Sequence, residues 1–259
     1  MPVEGRPTGW LRDAFSDLVL GSSCLGCDAP GRLLCPACAA GLPSEARPSW
    51  PTPCPPGLAT PWAAGAYDGL LRDLVVAHKE QARLWLGGPL GTLLAGAVAA
   101  AVDARPGPGA GPGPAPPVLL VPIPSRPGVV RGRGDDPTRR LVRVAGRRLR
   151  AEGREVYVAG LLRSHPGVRD QSELDAARRT ANLAGTMYCP SPQLGRLARH
   201  LARRTGGTGA AVVLCDDILT TGSTTAEAQR ALAQVGVRVH SIAVVAAVRR
   251  RHPAAAAPG

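Results

Sequence analysis

Between Val212 and Thr224 the chain reads VVLCDDILTTGST, and no other stretch limits the fold as much. The unbroken apolar run in AAVVLCD, at 210–216, suits a strand covered on both faces rather than one half-exposed to water. The small-residue turn after it leads into a helix at 224–235. VLLVPI at 118–123 has the same character and leads into the basic amphipathic helix DPTRRLVRVAGRRLRAEG. A further strand, EVYVAGLL, begins at Glu155, and VRVHSIAVVAAV near the end supplies another. Upstream, WAAGAYDG from Trp62 reads as a short strand and turn. LLRDLVVAHKEQARLWL from Leu70 repeats apolar residues at helical spacing, and 89–103 reads as a second helix. Strands alternating with helices predict an α/β protein with a parallel sheet flanked by helices.

Length and composition fit that expectation. With 259 residues, 44% hydrophobic and 19% charged, the chain holds one core of ordinary size plus an appendage, which excludes a wholly disordered protein. The appendage is residues 1–60, rich in proline and carrying five of the seven cysteines; the larger domain is 61–248. The run ARPGPGAGPGPAPP, 104–117, has neither side chains to bury nor donors to pair and reads as a flexible Pro/Gly loop, and 249–259 as a disordered tail. Leu84 to Val102 is uncharged and long enough for a membrane span, but its weakly apolar Ala and Gly content favours a buried helix over a span. Glu4, Arg12, Asp13 and Asp17 interrupt any secretory signal, so a cytoplasmic protein is expected.

In a reducing compartment the cysteines are not read as a disulfide framework. Cys24, Cys27, Cys35 and Cys38 form two CxxC knuckles, CLGC and CPAC, and four thiolates at this spacing close a tetrahedral structural zinc site with no open position. Cys54 lacks such a partner and reads as a spare thiol.

The chemistry concentrates at the carboxyl end of the VVLCD strand, where open α/β sheets bind ligands. Asp216 and Asp217 stand there, followed by Thr220, Thr221, Gly222, Ser223 and Thr224 at a helix start. Amides, hydroxyls and the helix dipole at such a start suit a phosphate, while the carboxylates suit sugar hydroxyls of the same ligand. A sugar bearing a terminal phosphate meets both demands. The lysine of a Walker A loop is missing. The formal charge is +12, and Lys79 is the sole lysine, so the excess is arginine, a phosphate-matched group. Ten arginines fall between Arg126 and Arg154, of which Arg126, Arg131 and Arg133, in the loop before the helix, are candidates for a leaving pyrophosphate. The remaining arginines suit a solvated helix face or contact with nucleic-acid phosphates. Aromatic residues make up 3%, too few for base-stacking platforms, so nucleic-acid binding would rest on phosphates. Of the histidines only His165, in a polar loop, is a candidate for proton transfer.

All thirteen positions of VVLCDDILTTGST match the phosphoribosyl-pyrophosphate (PRPP) loop of type I phosphoribosyltransferases. Taken with the two knuckles, the VPIP strand end, the Arg131–Gly132 step and the segment RDQSELDAARRTANLAG, the chain resembles the ComF family over about residues 20–245. The resemblance implies a type I phosphoribosyltransferase-like domain with an N-terminal zinc module, binding PRPP with Mg²⁺. It implies that Asp216 and Asp217 hold the ribose hydroxyls, that Thr220 to Thr224 hold the 5′-phosphate, and that Gln171, Arg178 and Asn182 sit over the site. Lys79 matches a basic position on the family's first helix. The implied cellular role is DNA uptake or processing, with single-stranded DNA and a DNA-uptake helicase or other competence proteins as partners. Two activities follow: phosphoribosyl transfer, or a noncatalytic PRPP-sensing, DNA-binding module. The family's aromatic residue, Asn and Gln after the RG step are replaced here by RGDDPTRR, so the resemblance names no acceptor.

Overall fold

The computed structural model describes residues 23–81, 83–104, 116–125, 136–165, 185–205 and 209–248. The cysteine-rich region contributes a short helix, α1 (Pro36–Ala40), and a two-residue strand, β1 (Arg47–Pro48). Then follow β2 (Pro61–Ala66), α2 (Gly69–Lys79), a single 3₁₀ turn (Leu84–Leu86), α3 (Gly87–Asp103), β3 (Val118–Pro122), α4 (Pro137–Ala151) and β4 (Val156–Val158). β5 (Arg163–Ser164) and β6 (Met187–Tyr188) form a small antiparallel pair. The chain continues with α5 (Ser191–Thr205), β7 (Ala211–Leu219), α6 (Ser223–Ala233) and β8 (Ser241–Ala247).

Six strands make one sheet in the order β1-β2-β8-β7-β3-β4, parallel except for β1 at the edge. Helices cover both faces, giving the expected mixed α/β architecture. Alternation along the strands sorts the core. Leu120, Val213, Cys215, Ala243 and Val245 meet Leu90, Leu94 and Val98 of α3 and Leu141, Ala145 and Leu149 of α4. Leu119, Val121, Leu214, Ile242 and Val244 point the other way, toward Ala228, Ala231 and Leu232 of α6. Every residue of β3 and β8 is buried, as an apolar run in a doubly covered sheet requires. Each leucine so enclosed contributes about 1.5–3 kcal/mol relative to exposure.

The segment Leu84–Asp103 is long and apolar enough to cross a membrane, yet nine residues of α3 are buried against the sheet and α4. Gly91 lets the two helices meet, because a Cβ there would lie 2.5 Å from the Val144 side chain.

Several boundaries differ from the sequence reading. The helix from Leu70 does not run on through Leu86. It stops at Lys79, where Arg83 N–H turns back to the Ala77 carbonyl and the His78 ring lies 3.3 Å from the Arg83 carbonyl. The strand from Glu155 is only three residues long, and Leu161 and Leu162 beyond it are buried without continuing the ladder. β7 is longer than the apolar run predicts. It extends through both acids to Leu219 because β8 continues beside it, pairing Asp216 with Val244 and Leu219 with Ala247.

Candidate functional site

Strand order locates a crevice before any side chain is considered. From β3 the chain crosses through α4 to β4 on one side, and from β7 it crosses through α6 to β8 on the other. Adjacent parallel strands whose connections diverge leave a cleft at their carboxyl ends. β3 ends at Pro122, opposite Cys215, so Asp216 to Leu219 project beyond their neighbour on that side. At the other lip, Asp136 caps α4 through the Arg139 N–H and also accepts from Ser125 N and Oγ, at 3.1 and 2.7 Å. The flanks of the arginine loop are thereby pinned together. Arg126, Arg131 and Arg133 themselves lie outside the described residues, as do Gln171, Arg178 and Asn182. The ends of the segment carrying the last three are joined by β5–β6 pairing and by the His165 N–H bond to the Thr186 carbonyl. His165 packs its ring against Tyr188, centroids 4.6 Å apart.

The two acids have different surroundings. Asp217 is 3% exposed. Lys79, from the last turn of α2, grips both its oxygens at 2.8 and 3.1 Å, and the Ile218 N–H donates to Oδ1 at 2.8 Å. Asp216 is half-buried by surface exposure, although the atoms around its carboxyl desolvate it; that burial, then the neighbouring Asp217 carboxylate, raise it well above the usual carboxylate range. Its Oδ1 accepts the Asp217 N–H at 2.8 Å. One acid is thus cation-paired, and the other is held above the usual carboxylate range.

Five residues beyond Asp217, Gly222 adopts φ +74°, the left-handed region that a glycine occupies without strain, and redirects the chain into α6. Thr220 is exposed at the turn's tip. Thr221 Oγ1 and Ser223 Oγ are 3.0 Å apart, and the helix begins with the Ala226 N–H bond to the Gly222 carbonyl. Thr224 is half-buried in the first turn of α6. The Thr221 and Ser223 hydroxyls thus stand together at the helix start, within a few residues of the acids.

The four knuckle cysteines come together: their sulfurs all lie within 4.8 Å of one another, with Cys27 and Cys35 at 3.6 Å. Backbone N–H groups of Cys35 and Cys38 point at the sulfurs of Cys24 and Cys35, each at 3.4 Å. Gly26 is needed in the first knuckle, since a Cβ would lie 2.9 Å from the Cys38 sulfur and 3.2 Å from Leu70 of α2. Burial opposes charge on Cys24, but N–H donors from Cys35, Gly26 and Cys27 outweigh it and bring the thiol down to about 6. Cys38 is pushed up to about 12, mainly through the Cys35, Cys24 and Cys27 sulfurs. These four residues can hold one metal ion, a donor set consistent with structural zinc. Cys54 is exposed and outside the cluster; Cys189 and Cys215 are buried.

Some contributors carried no sequence signal. Glu227, 4% exposed, accepts the Met187 N–H at 2.8 Å and two bonds from Arg230, whose Nη2 donates to the Met187 carbonyl at 3.0 Å. The helix after the turn is thus tied to β6. A charged pair three residues apart on a helix reads as a surface pair until its distant partner is known.

No protein-family model matches the chain, and a search of curated proteins returns no match.

Proposed function

We propose that this chain is a type I phosphoribosyltransferase-like protein of the ComF family that binds Mg²⁺-PRPP. The observation that supports it best is the placement of Asp216, Asp217 and the left-handed Gly222 turn together at the diverging strand connections. In this reading Asp216 and Asp217 orient the ribose through its hydroxyls, and Thr220 to Thr224 receive the 5′-phosphate. Lys79 against Asp217 offsets one carboxylate charge where a polyanion would approach. Lys79, together with Arg126, Arg131 and Arg133, stabilises pyrophosphate, on which the magnesium arrives. Gln171, Arg178 and Asn182 exclude water. The bond from C1 to the pyrophosphate oxygen breaks with its electron pair leaving on pyrophosphate. A lone pair of the acceptor forms the new bond to C1, and the acceptor's proton passes to solvent.

A noncatalytic PRPP-sensing, DNA-binding role is the second reading, and one observation favours it. α4 and α5 both lie beside β4, the outer strand of the sheet; α4 carries exposed Arg139, Arg143 and Arg147, and α5 exposed Arg196, Arg199, Arg203 and Arg204. Single-stranded DNA, and through it a DNA-uptake helicase or other competence protein, belongs with that reading.

Calorimetric titration of Mg²⁺-PRPP into the wild type, Asp216→Asn and Asp217→Asn tests both. Saturable binding lost in each variant supports the PRPP site, and pyrophosphate release with added acceptors then decides for transfer. No binding to folded protein sinks the PRPP reading. Salt-dependent binding of single-stranded DNA whose slope flattens on charge reversal at Arg139, Arg143 and Arg147 would carry the second.

A further inference from the structure

The cysteine-rich region and the phosphate turn touch. A Cβ on Gly222 would lie 3.0 Å from Pro51 Cγ and 3.2 and 3.3 Å from Pro55 Cδ and Cγ, so two proline rings press on the face of the left-handed residue. Seven residues on, two helical turns and hence the same face of α6, the Gln229 amide fastens the other end of this segment. Its Nε2 donates to the Gly57 carbonyl at 2.7 Å, and its Oε1 accepts the Ala59 N–H at 2.9 Å. Leu58, between them, is buried in the cluster that holds Ala228 and Leu232 of α6. Upstream, the Ser49 N–H bonds to the Pro61 carbonyl, and Pro51 is buried.

We propose that Pro51 to Ala59 is a built-in strap on the phosphate turn, with Pro51, Pro55 and Gln229 as positioning residues that hold Gly222 in its left-handed conformation. A glycine-centred turn is the most mobile kind of backbone, and an anion gains from its amides and hydroxyls only if they are fixed in advance. Prolines are suited to the task because their rings have little freedom of their own to lose. Gln229 is suited because a side-chain amide can satisfy a carbonyl and an N–H two residues apart, locking the strap in register. The cysteine-rich region thereby forms part of the ligand site. The gain in anion affinity rests on the function proposed above; the immobilisation of the turn does not.

The test compares full-length wild type with Gln229→Leu, which keeps bulk and removes both bonds, and with Pro55→Ala. Amide hydrogen exchange at residues 221–226 is expected to quicken about tenfold in Gln229→Leu, the loss of one net hydrogen-bonded clip, while exchange at 212–215 stays unchanged. Affinity for Mg²⁺-PRPP and for inorganic phosphate is expected to fall by a similar factor, and Gln229→Glu, which keeps the bond from Ala59, to fall between. Unchanged exchange at the turn in folded Gln229→Leu and Pro55→Ala overturns the strap. Faster exchange with unchanged affinity overturns its role in binding. If the wild type binds neither ligand the function reading fails, and the exchange comparison still decides the strap.

Discussion

Four sulfurs near the amino end and two carboxylates at the end of β7 pose the same electrostatic problem, like charges held at close range, and the described residues set a lysine against the carboxylates and backbone N–H groups against the sulfurs. At the acids, Lys79 closes on Asp217, and Asp216 is left favouring its proton. At the cysteines backbone N–H groups outweigh burial and bring Cys24 down to about 6, while the neighbouring sulfurs push Cys38 up to about 12. The difference separates two uses of clustered acids. A cluster that waits for an external ion is a staple, whereas one with a tethered cation beside it can release that cation and face a ligand.

Removing the ion is the most severe way to break the comparison. Zinc at the four cysteines would staple residues 24–46, whose side chains are mostly exposed or half-exposed and which meet the main core through Leu33, Leu25, Leu34, Leu42 and Ala46. Purified protein is expected to carry about one metal equivalent per chain. Chelation should expose 24–46 to proteolysis while the sheet, with its own core, stays resistant. Metal-free protein with undiminished protection in that segment would show that the sulfurs gather without an ion.

Removing the tethered cation is the milder counterpart. Lys79→Met leaves Asp217 buried with the Ile218 N–H still donating to it. A broken buried pair costs about 3–5 kcal/mol, and because the Lys79 side chain is 36% exposed the expected loss is about 2 kcal/mol. Urea unfolding should show it, and metal content should not change. A loss below about 0.5 kcal/mol would mean that the ion pair behaves as an ordinary surface pair.

Much of the architecture was legible because its signals are local. VLLVPI and AAVVLCD are apolar without interruption, which only a doubly covered strand tolerates, and CLGC with CPAC carries its spacing in the sequence itself. The acids and the Thr/Gly turn were legible for the same reason. What the sequence left open depends on partners far along the chain. Lys79 and Asp217 are 138 residues apart and Gln229 and Gly57 are 172 apart, so neither pairing leaves a periodicity to read. The strand length at Asp216 was misjudged because carboxylates look like a strand's end. It is the neighbouring β8 ladder, continuing to Ala247, that keeps them extended.

The smallest effect tests the proton on Asp216. Burial and Asp217 raise this carboxyl in the folded state, so the folded protein binds the proton more tightly than the unfolded chain does. Stability from this group is therefore fully present below the ordinary carboxyl value of 3.8 and is lost as pH rises through the raised folded value. Asp216→Asn keeps the shape and an oxygen to accept the Asp217 N–H but cannot ionise. Its stability relative to wild type is expected to increase from pH 5 to pH 8, with wild type falling more steeply over that range in urea unfolding. Parallel curves would mean that Asp216 ionises as freely as an exposed carboxylate. The acid pair would then carry a net negative charge even with Lys79 in place, and a polyanionic ligand would reach it only with its own cation in attendance.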